Sequence, residues 1–233
     1  MTNNIQDKQR NYLIVGLPKS GTTLNVDIAI KNGFKLIIDS KTGHSECKIE
    51  DLLSSEFNKK SSLIAKNPTF IMHDDIIDKI LNFVSNTHIY LYLRNFSDII
   101  VSHYEMNVRQ NMFFGTLKSW VEWKKTTLLD KYVNVEKNIL KIIDYAENNK
   151  HKNITFTLVH HSNLNSIVTV NDLVEKFSMD KDKIHECLNN KSNVNEKKSS
   201  KCNQISTYNE VRKEYDTLYE NILSNPIIKK YTL

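Results

Sequence analysis

The stretch Asn11-Tyr-Leu-Ile-Val15-Gly16-Leu-Pro-Lys19-Ser20-Gly21-Thr22-Thr23, continued by LNVDIAI, decides how the rest of the chain is read. A short apolar run ends in a Gly-containing turn, and an apolar-periodic segment opens directly after it. The order is strand, loop, helix. A loop in that position presents the N–H groups of a starting helix towards one point, where an anion fits. The two glycines stand at the separation of a Walker loop, but Thr22 and Thr23 follow the second glycine and the lysine lies inside the loop, at Lys19. A nucleoside triphosphatase uses a Lys directly after that glycine for the outer phosphates and the next hydroxyl for magnesium. That arrangement is not encoded.

Further short apolar runs occur at Phe34–Ile38, Ser62–Ala65, Ile89–Leu93 and Ile154–Val159, with helix-period segments between several of them. In Asp74–Val84 the residues Ile76, Ile77, Ile80, Leu81 and Val84 recur at helical spacing, and Asp74 and Asp75 suit the positive N-terminal end. The alternation predicts an α/β fold of three layers, with a central, mainly parallel sheet of the P-loop nucleotide-binding type covered on both faces. Residues 117–149 read as two helices with no strand between them, a helical insertion after the fourth strand region. Helices are also expected at 170–177, 180–188 and about 208–224. Between them, Asn189–Gln204 is polar with almost no apolar anchor and reads as a mobile loop. Residues 1–233 are read as one domain with its core at about 11–178.

At 233 residues and 27.2 kDa, one elaborated domain fits better than two. Hydrophobic residues make up 39% and charged residues 25%, enough apolar content for a core and too much for a wholly disordered chain. Of the 32 basic residues only Arg10, Arg94, Arg109 and Arg212 are arginine. The net charge of +5 favours anionic ligands, but the cations are spread among acids and form no arm for nucleic acid. No apolar run approaches the roughly 20 residues that span a bilayer, and MTNNIQDKQR lacks the apolar middle of a signal peptide, so a cytoplasmic protein is expected. Cys47, Cys187 and Cys202 lie far apart with no paired spacing, and indicate neither a disulfide framework nor a zinc site.

A second anion site is encoded in Leu91-Tyr-Leu-Arg94-Asn95-Phe96-Ser97-Asp98-Ile-Ile-Val-Ser102-His103-Tyr104. It reads as a strand ending in Arg, a short turn with Asn95 or Ser97 as N-cap, and a helix. Arg94 and Ser102 can reach one anion beyond the sheet edge, the guanidinium offering a planar set of donors and the hydroxyl one more. Asp98 reads as a helix-start residue, and His103 and Tyr104 as packing groups.

Together these segments resemble the sulfotransferases that use 3′-phosphoadenosine-5′-phosphosulfate (PAPS). PKSGTT after an apolar strand is similar to their 5′-phosphosulfate loop, and Arg94 to Ser102 is similar to their 3′-phosphate motif, with Phe96 where the family usually has Pro. The resemblance implies that Lys19 lies against the bridging oxygen and transferring sulfuryl group. It implies also that Ser20, Gly21, Thr22 and Thr23 hold the 5′-phosphate and that Arg94 and Ser102 bind the 3′-phosphate. AKNPTF is similar to the Lys-containing string of carbohydrate sulfotransferases, which carries over a catalytic role to Lys66, although Ala65 replaces the acid that usually precedes it. Lys66 follows a short strand and so points into the sheet end where open α/β sheets bind ligands.

Sulfuryl transfer to an alcohol needs a base for the acceptor hydroxyl and positive charge on the departing phosphate oxygen. By resemblance the base is Glu46, with His44 as the competitor because imidazole titrates nearer neutrality. His73, Asp74, Asp75, His160 and His161 receive no catalytic role. Trp120 and Trp123 could line an acceptor pocket or pack in the core, and Lys197, Lys198 and Lys201 fall where the family has a cofactor-covering segment. The expected reaction needs no metal. The expected acceptor is a hydroxyl on a carbohydrate, with a small alcohol, a phenol or a peptide tyrosine as alternatives. The rival readings are a P-loop nucleotide kinase or triphosphatase, and a nucleotide-binding module that has lost its base. Oligomeric state is left open.

Overall fold

The computed structural model describes residues 10–17, 20–60, 62–191 and 205–233. Strands β1 (Asn11–Ile14), β2 (Lys35–Ile37), β3 (Leu63–Lys66), β4 (Thr87–Leu93) and β5 (Thr155–His160) form one sheet in the order β2-β3-β1-β4-β5. Every pairing is parallel. The five apolar runs in the sequence are these strands.

Such runs are apolar throughout because both faces of the sheet are covered. Tyr12 and Ile14 of β1, with Tyr90 and Tyr92 of β4, pack on one side under helices α1 (Thr22–Lys31), α7 (Ile167–Phe177) and α8 (Lys181–Lys191). Leu13 and Val15, with Ile89, Leu91 and Leu93, face the other layer. That layer holds α2 (Ile49–Ser54), α3 (Asp74–Phe83), α4 (Phe96–Arg109), α5 (Leu117–Lys124), α6 (Asn134–Asn148), α9 (Ile205–Ser224) and α10 (Pro226–Lys229). The three layers follow from the period-2 alternation of strand side chains.

The insertion between β4 and β5 comprises α4, α5, a 3-10 turn at Leu129–Val133, and α6. Trp120 of α5 is fully buried and donates its indole N–H to Asn107 Oδ1 at 3.1 Å, which ties α5 to α4. The core runs past residue 178, since Val211, Tyr215, Tyr219 and Ile222 of α9 are buried. Residues 189–191, expected in a loop, form the last turn of α8. Ile184 anchors that helix, with Cys187 and Leu188 packed partly against α1's layer, and the ladder propagates a little beyond its last anchor. The rest of the expected loop, with Lys197, Lys198, Lys201 and Cys202, lies outside the described residues.

Strand β1 sits in the middle, and the chain leaves it towards β2 on one side while it leaves β4 towards β5 on the other. The carboxyl ends of β1 and β4 therefore flank a topological switch point, the place where open α/β sheets form a ligand crevice. Both sequence-predicted anion loops start there.

Candidate functional site

The first loop leaves β1 alongside β4. Val15 N–H donates to Tyr90 O at 2.9 Å and Leu17 N–H to Tyr92 O at 3.4 Å, so the chain stays paired beyond the strand before turning. A Cβ on Gly16 would stand 2.7 Å from Thr22 Cγ2 and 3.3 Å from Tyr92 O, leaving no room for a side chain. Ser20 is buried, and its hydroxyl donates to Leu17 O at 2.6 Å, so it shapes the turn from inside. Gly21 caps α1 in the left-handed region at φ 91°, with Leu164 from the turn after β5 seated 2.6 Å from where a Cβ would be. Thr22 is buried and Thr23 exposed in the first turn of α1, whose leading amides have no intrahelical acceptor. Pro18 and Lys19 lie outside the described residues.

Lys66 ends β3, one strand over, in register with Ile14 of β1. Only 3% of it is exposed, and its Nζ donates to Thr23 Oγ1 at 3.3 Å and lies 3.5 Å from Glu46 Oε1. Glu46 reaches this point because the loop after β2 is built around two carboxylates. Asp39 accepts the amides of Lys41 at 2.8 Å and Thr42 at 3.2 Å and pairs with Lys48 Nζ at 3.2 Å. These donors, the Lys41 amide foremost, hold the Asp39 carboxyl down to about 2. Asp51 accepts the amides of Ser40 and Lys48. Cys47 then fastens the loop to β3, its N–H donating to Lys66 O at 3.0 Å and its carbonyl accepting Asn67 Nδ2 at 2.8 Å. Burial pushes the Cys47 thiol up to about 12, which suits packing and not reactivity.

A cavity of about 320 Å³ opens here, lined by Gly21, Thr22, Thr23, Glu46, Pro68, Thr69, His103 and Met106. The structure thus brings Glu46 and the first loop to one cavity, with Lys66 buried between them. His44 is exposed and outside the lining, and its Nδ1 accepts the Glu46 N–H at 3.2 Å, so it braces the loop that carries Glu46. His103 and Met106, three residues apart on α4, are lining residues that the sequence reading assigned to packing or passed over. The i, i+3 spacing was the available signal. The His103 ring also packs against Trp120, with centroids 5.5 Å apart. Neither tryptophan lines this cavity: Trp120 is core, and Trp123 stacks on Phe113 at the surface.

The second loop starts at the end of β4, adjacent to β1. Arg94 is half-buried, with its Nε 3.9 Å from Asp98. Asn95 is the N-cap of α4, accepting the Asp98 N–H at 3.4 Å. The Ser97 amide donates to Asp216 Oδ1 at 3.0 Å, and its hydroxyl is shared between Asn95 Oδ1 at 2.7 Å and Asp216 Oδ2 at 3.1 Å. Asp216, on α9, is buried and lies 3.5 Å from Arg212 Nε. The N-terminus of α4 is therefore occupied by the protein's own carboxylate and N-cap, and what the described residues of this loop leave for an anion is the Arg94 guanidinium and the half-buried Ser102. His161, just beyond β5, has its pKa lowered by burial and by the Arg94 charge beside it. Sequence reading gave no role to Asp216, since its partner is 119 positions away.

No protein-family model matches this chain, and no curated protein matches it.

Proposed function

We propose that the chain is a sulfotransferase moving the sulfuryl group of PAPS to a hydroxyl acceptor, with a carbohydrate as the favoured class. The observation that carries the reading is the convergence of Lys66, Thr23 and Glu46 at the mouth of a loop opening α1, one strand from Arg94. A helix start and a carboxylate lining one cavity, with a cation buried directly behind them, are the groups that sulfuryl transfer needs.

In this reading Glu46 takes the proton of the acceptor hydroxyl as its oxygen bonds to sulfur. The bond from sulfur to the bridging oxygen breaks, and its electron pair stays on the 5′-phosphate of the departing adenosine 3′,5′-bisphosphate. Lys66, buried beside Thr23, stabilises the charge that gathers there, because a cation away from bulk water acts strongly on a nearby anion. Gly21, Thr22 and Thr23 receive the 5′-phosphate at the start of α1, with Ser20 fixing the turn. Lys19 keeps the role that the resemblance implies, and Arg94 and Ser102 take the 3′-phosphate.

The test is transfer of radiolabelled sulfate from PAPS to acceptors in an extract and to a panel of sugars, alongside calorimetric binding of adenosine 3′,5′-bisphosphate without magnesium. Transfer that Glu46→Gln abolishes while nucleotide binding persists supports the reading. Magnesium-dependent turnover of a nucleoside triphosphate would replace it with a kinase or triphosphatase. Nucleotide binding with no transfer to any acceptor would leave a binding module.

A further inference from the structure

The cavity at Glu46 has a hydrogen-bond polarity fixed by Asn67, the residue after β3. Asn67 N–H donates to Ile14 O at 3.1 Å, and Nδ2 donates to Cys47 O at 2.8 Å. Its Oδ1 accepts both the N–H and the hydroxyl of Thr69, each at 2.8 Å. A carbonyl can only accept, so the Cys47 contact decides which end of the amide is nitrogen, and the oxygen faces Thr69. The one proton of the Thr69 hydroxyl is thereby committed to Asn67. Thr69 lines the cavity half-buried, and its oxygen has only lone pairs left to offer there. On the α1 side the polarity is reversed. Lys66 Nζ carries donors alone, so Thr23 Oγ1 accepts from it at 3.3 Å and keeps its own proton to give.

The wall with Glu46 and Thr69 therefore takes protons, and the wall with Thr23 and the first amides of α1 gives them. Asn67 also ties the two acceptors together, one end of its amide holding Cys47, next to Glu46, and the other end holding Thr69. We propose that Thr69 selects the acceptor, which brings two neighbouring hydroxyls: one donates to Glu46 and reacts there, and the other donates to Thr69. The inference rests on the sulfuryl-transfer reading and deepens it. The proton of the second hydroxyl stays on its own oxygen throughout. A simple alcohol or a phenol has no second hydroxyl, and would leave the Thr69 oxygen facing the substrate without a donor. Such a loss is what allows a site to reject an analogue that lacks one hydroxyl.

Steady-state transfer of radiolabelled sulfate from PAPS tests this with the methyl glycosides of glucose, galactose and mannose, vicinal cyclohexanediol, cyclohexanol and phenol. In kcat/KM the diol-bearing acceptors should be favoured by about tenfold or more, as one hydrogen bond allows. Thr69→Val keeps the outline of the side chain and removes the oxygen. It should bring the ratio of cyclohexanediol to cyclohexanol close to one, chiefly through KM, and Thr69→Ser should restore the preference. Thr69→Ala, which also removes the oxygen, is read in the same way as Thr69→Val. The ratio is the readout because damage to the fold lowers both acceptors together. Use of cyclohexanol or phenol as readily as any diol, or a ratio that loss of the oxygen leaves unchanged, overturns the proposal while sulfuryl transfer stands. Absence of transfer to every acceptor overturns the sulfuryl-transfer reading and this proposal with it.

Discussion

Lys66 Nζ stands 3.5 Å from Glu46 Oε1, although the lysine ends a central-sheet strand and the carboxylate sits on a surface loop 20 positions earlier. The lysine is almost wholly buried, and the carboxylate is 39% exposed and faces the cavity. The pair therefore has a fixed inner member and an accessible outer one.

Lys66→Met should preserve the fold, because the partner it leaves behind, Glu46, is 39% exposed and can be solvated rather than stranded as a buried charge. Transfer should fall by about two orders of magnitude or more through loss of the stabilising cation. Melting temperature and kcat measured on the same preparation check both statements. A fall in the melting temperature matching the loss of turnover would make Lys66 structural.

Glu46→Gln should lower kcat roughly 100-fold or more, the usual contribution of a general base, while adenosine 3′,5′-bisphosphate binds as before. His44→Gln should stay within a few-fold of wild type, because His44 only accepts the Glu46 amide from outside the cavity. Steady-state kinetics on the two variants separate the candidates. The reverse pattern would move the base to His44.

Gly21→Ala places a Cβ at φ 91° and 2.6 Å from Leu164 Cδ2. It should cost about 1–2 kcal/mol for the left-handed backbone alone, with a further loss from the clash. Leu164→Ala in the same chain should relieve the clash and not the backbone term. Denaturant unfolding of the single and double variants reads the two parts separately.

Asp216→Ala removes the acceptor of the Ser97 amide, while the Ser97 hydroxyl keeps Asn95 Oδ1 at 2.7 Å, and should destabilise the protein by about 1–3 kcal/mol. It should also weaken nucleotide binding by loosening the loop that carries Arg94. Binding affinity equal to wild type in a protein that remains folded would detach α9 from the second anion loop.

Asp172 on α7 has its Oδ2 sealed from water with no hydrogen-bond partner among the described residues, and burial raises its pKa from the ordinary 3.8 to about 6. The folded state then binds more protons than the unfolded one between these values, so this group makes stability fall as pH rises from about 4 to 6 and leaves it level above. Asp172→Asn should melt a few degrees higher than wild type at pH 8, and the difference should close by pH 4. Thermal melts across that range decide it.

The strands were legible because a parallel sheet covered on both faces writes each strand as an unbroken apolar run, as NYLI and IYLYL show. Lys66 was legible for the same reason, as a cation directly after such a run. Glu46 could be nominated but not paired, since its position depends on Asp39, Asp51 and Cys47 folding the loop back onto β3. Asp216 left no local trace. Apart from its pairing with Arg212 on its own helix, its chemistry is the hydrogen bonding to Ser97 at the start of α4, and nothing in the helix pattern of α9 distinguishes it from a solvated acid.

The central place of β1 has a bearing on how the chain is made. Its neighbours β3 and β4 are completed only at Lys66 and Leu93, so at ribosomal speeds of about 5–20 residues per second the segment NYLIV waits on the order of ten seconds with both edges bare. A nascent chain in that interval offers an aggregation-prone template, and holdase chaperones are the natural protection for it.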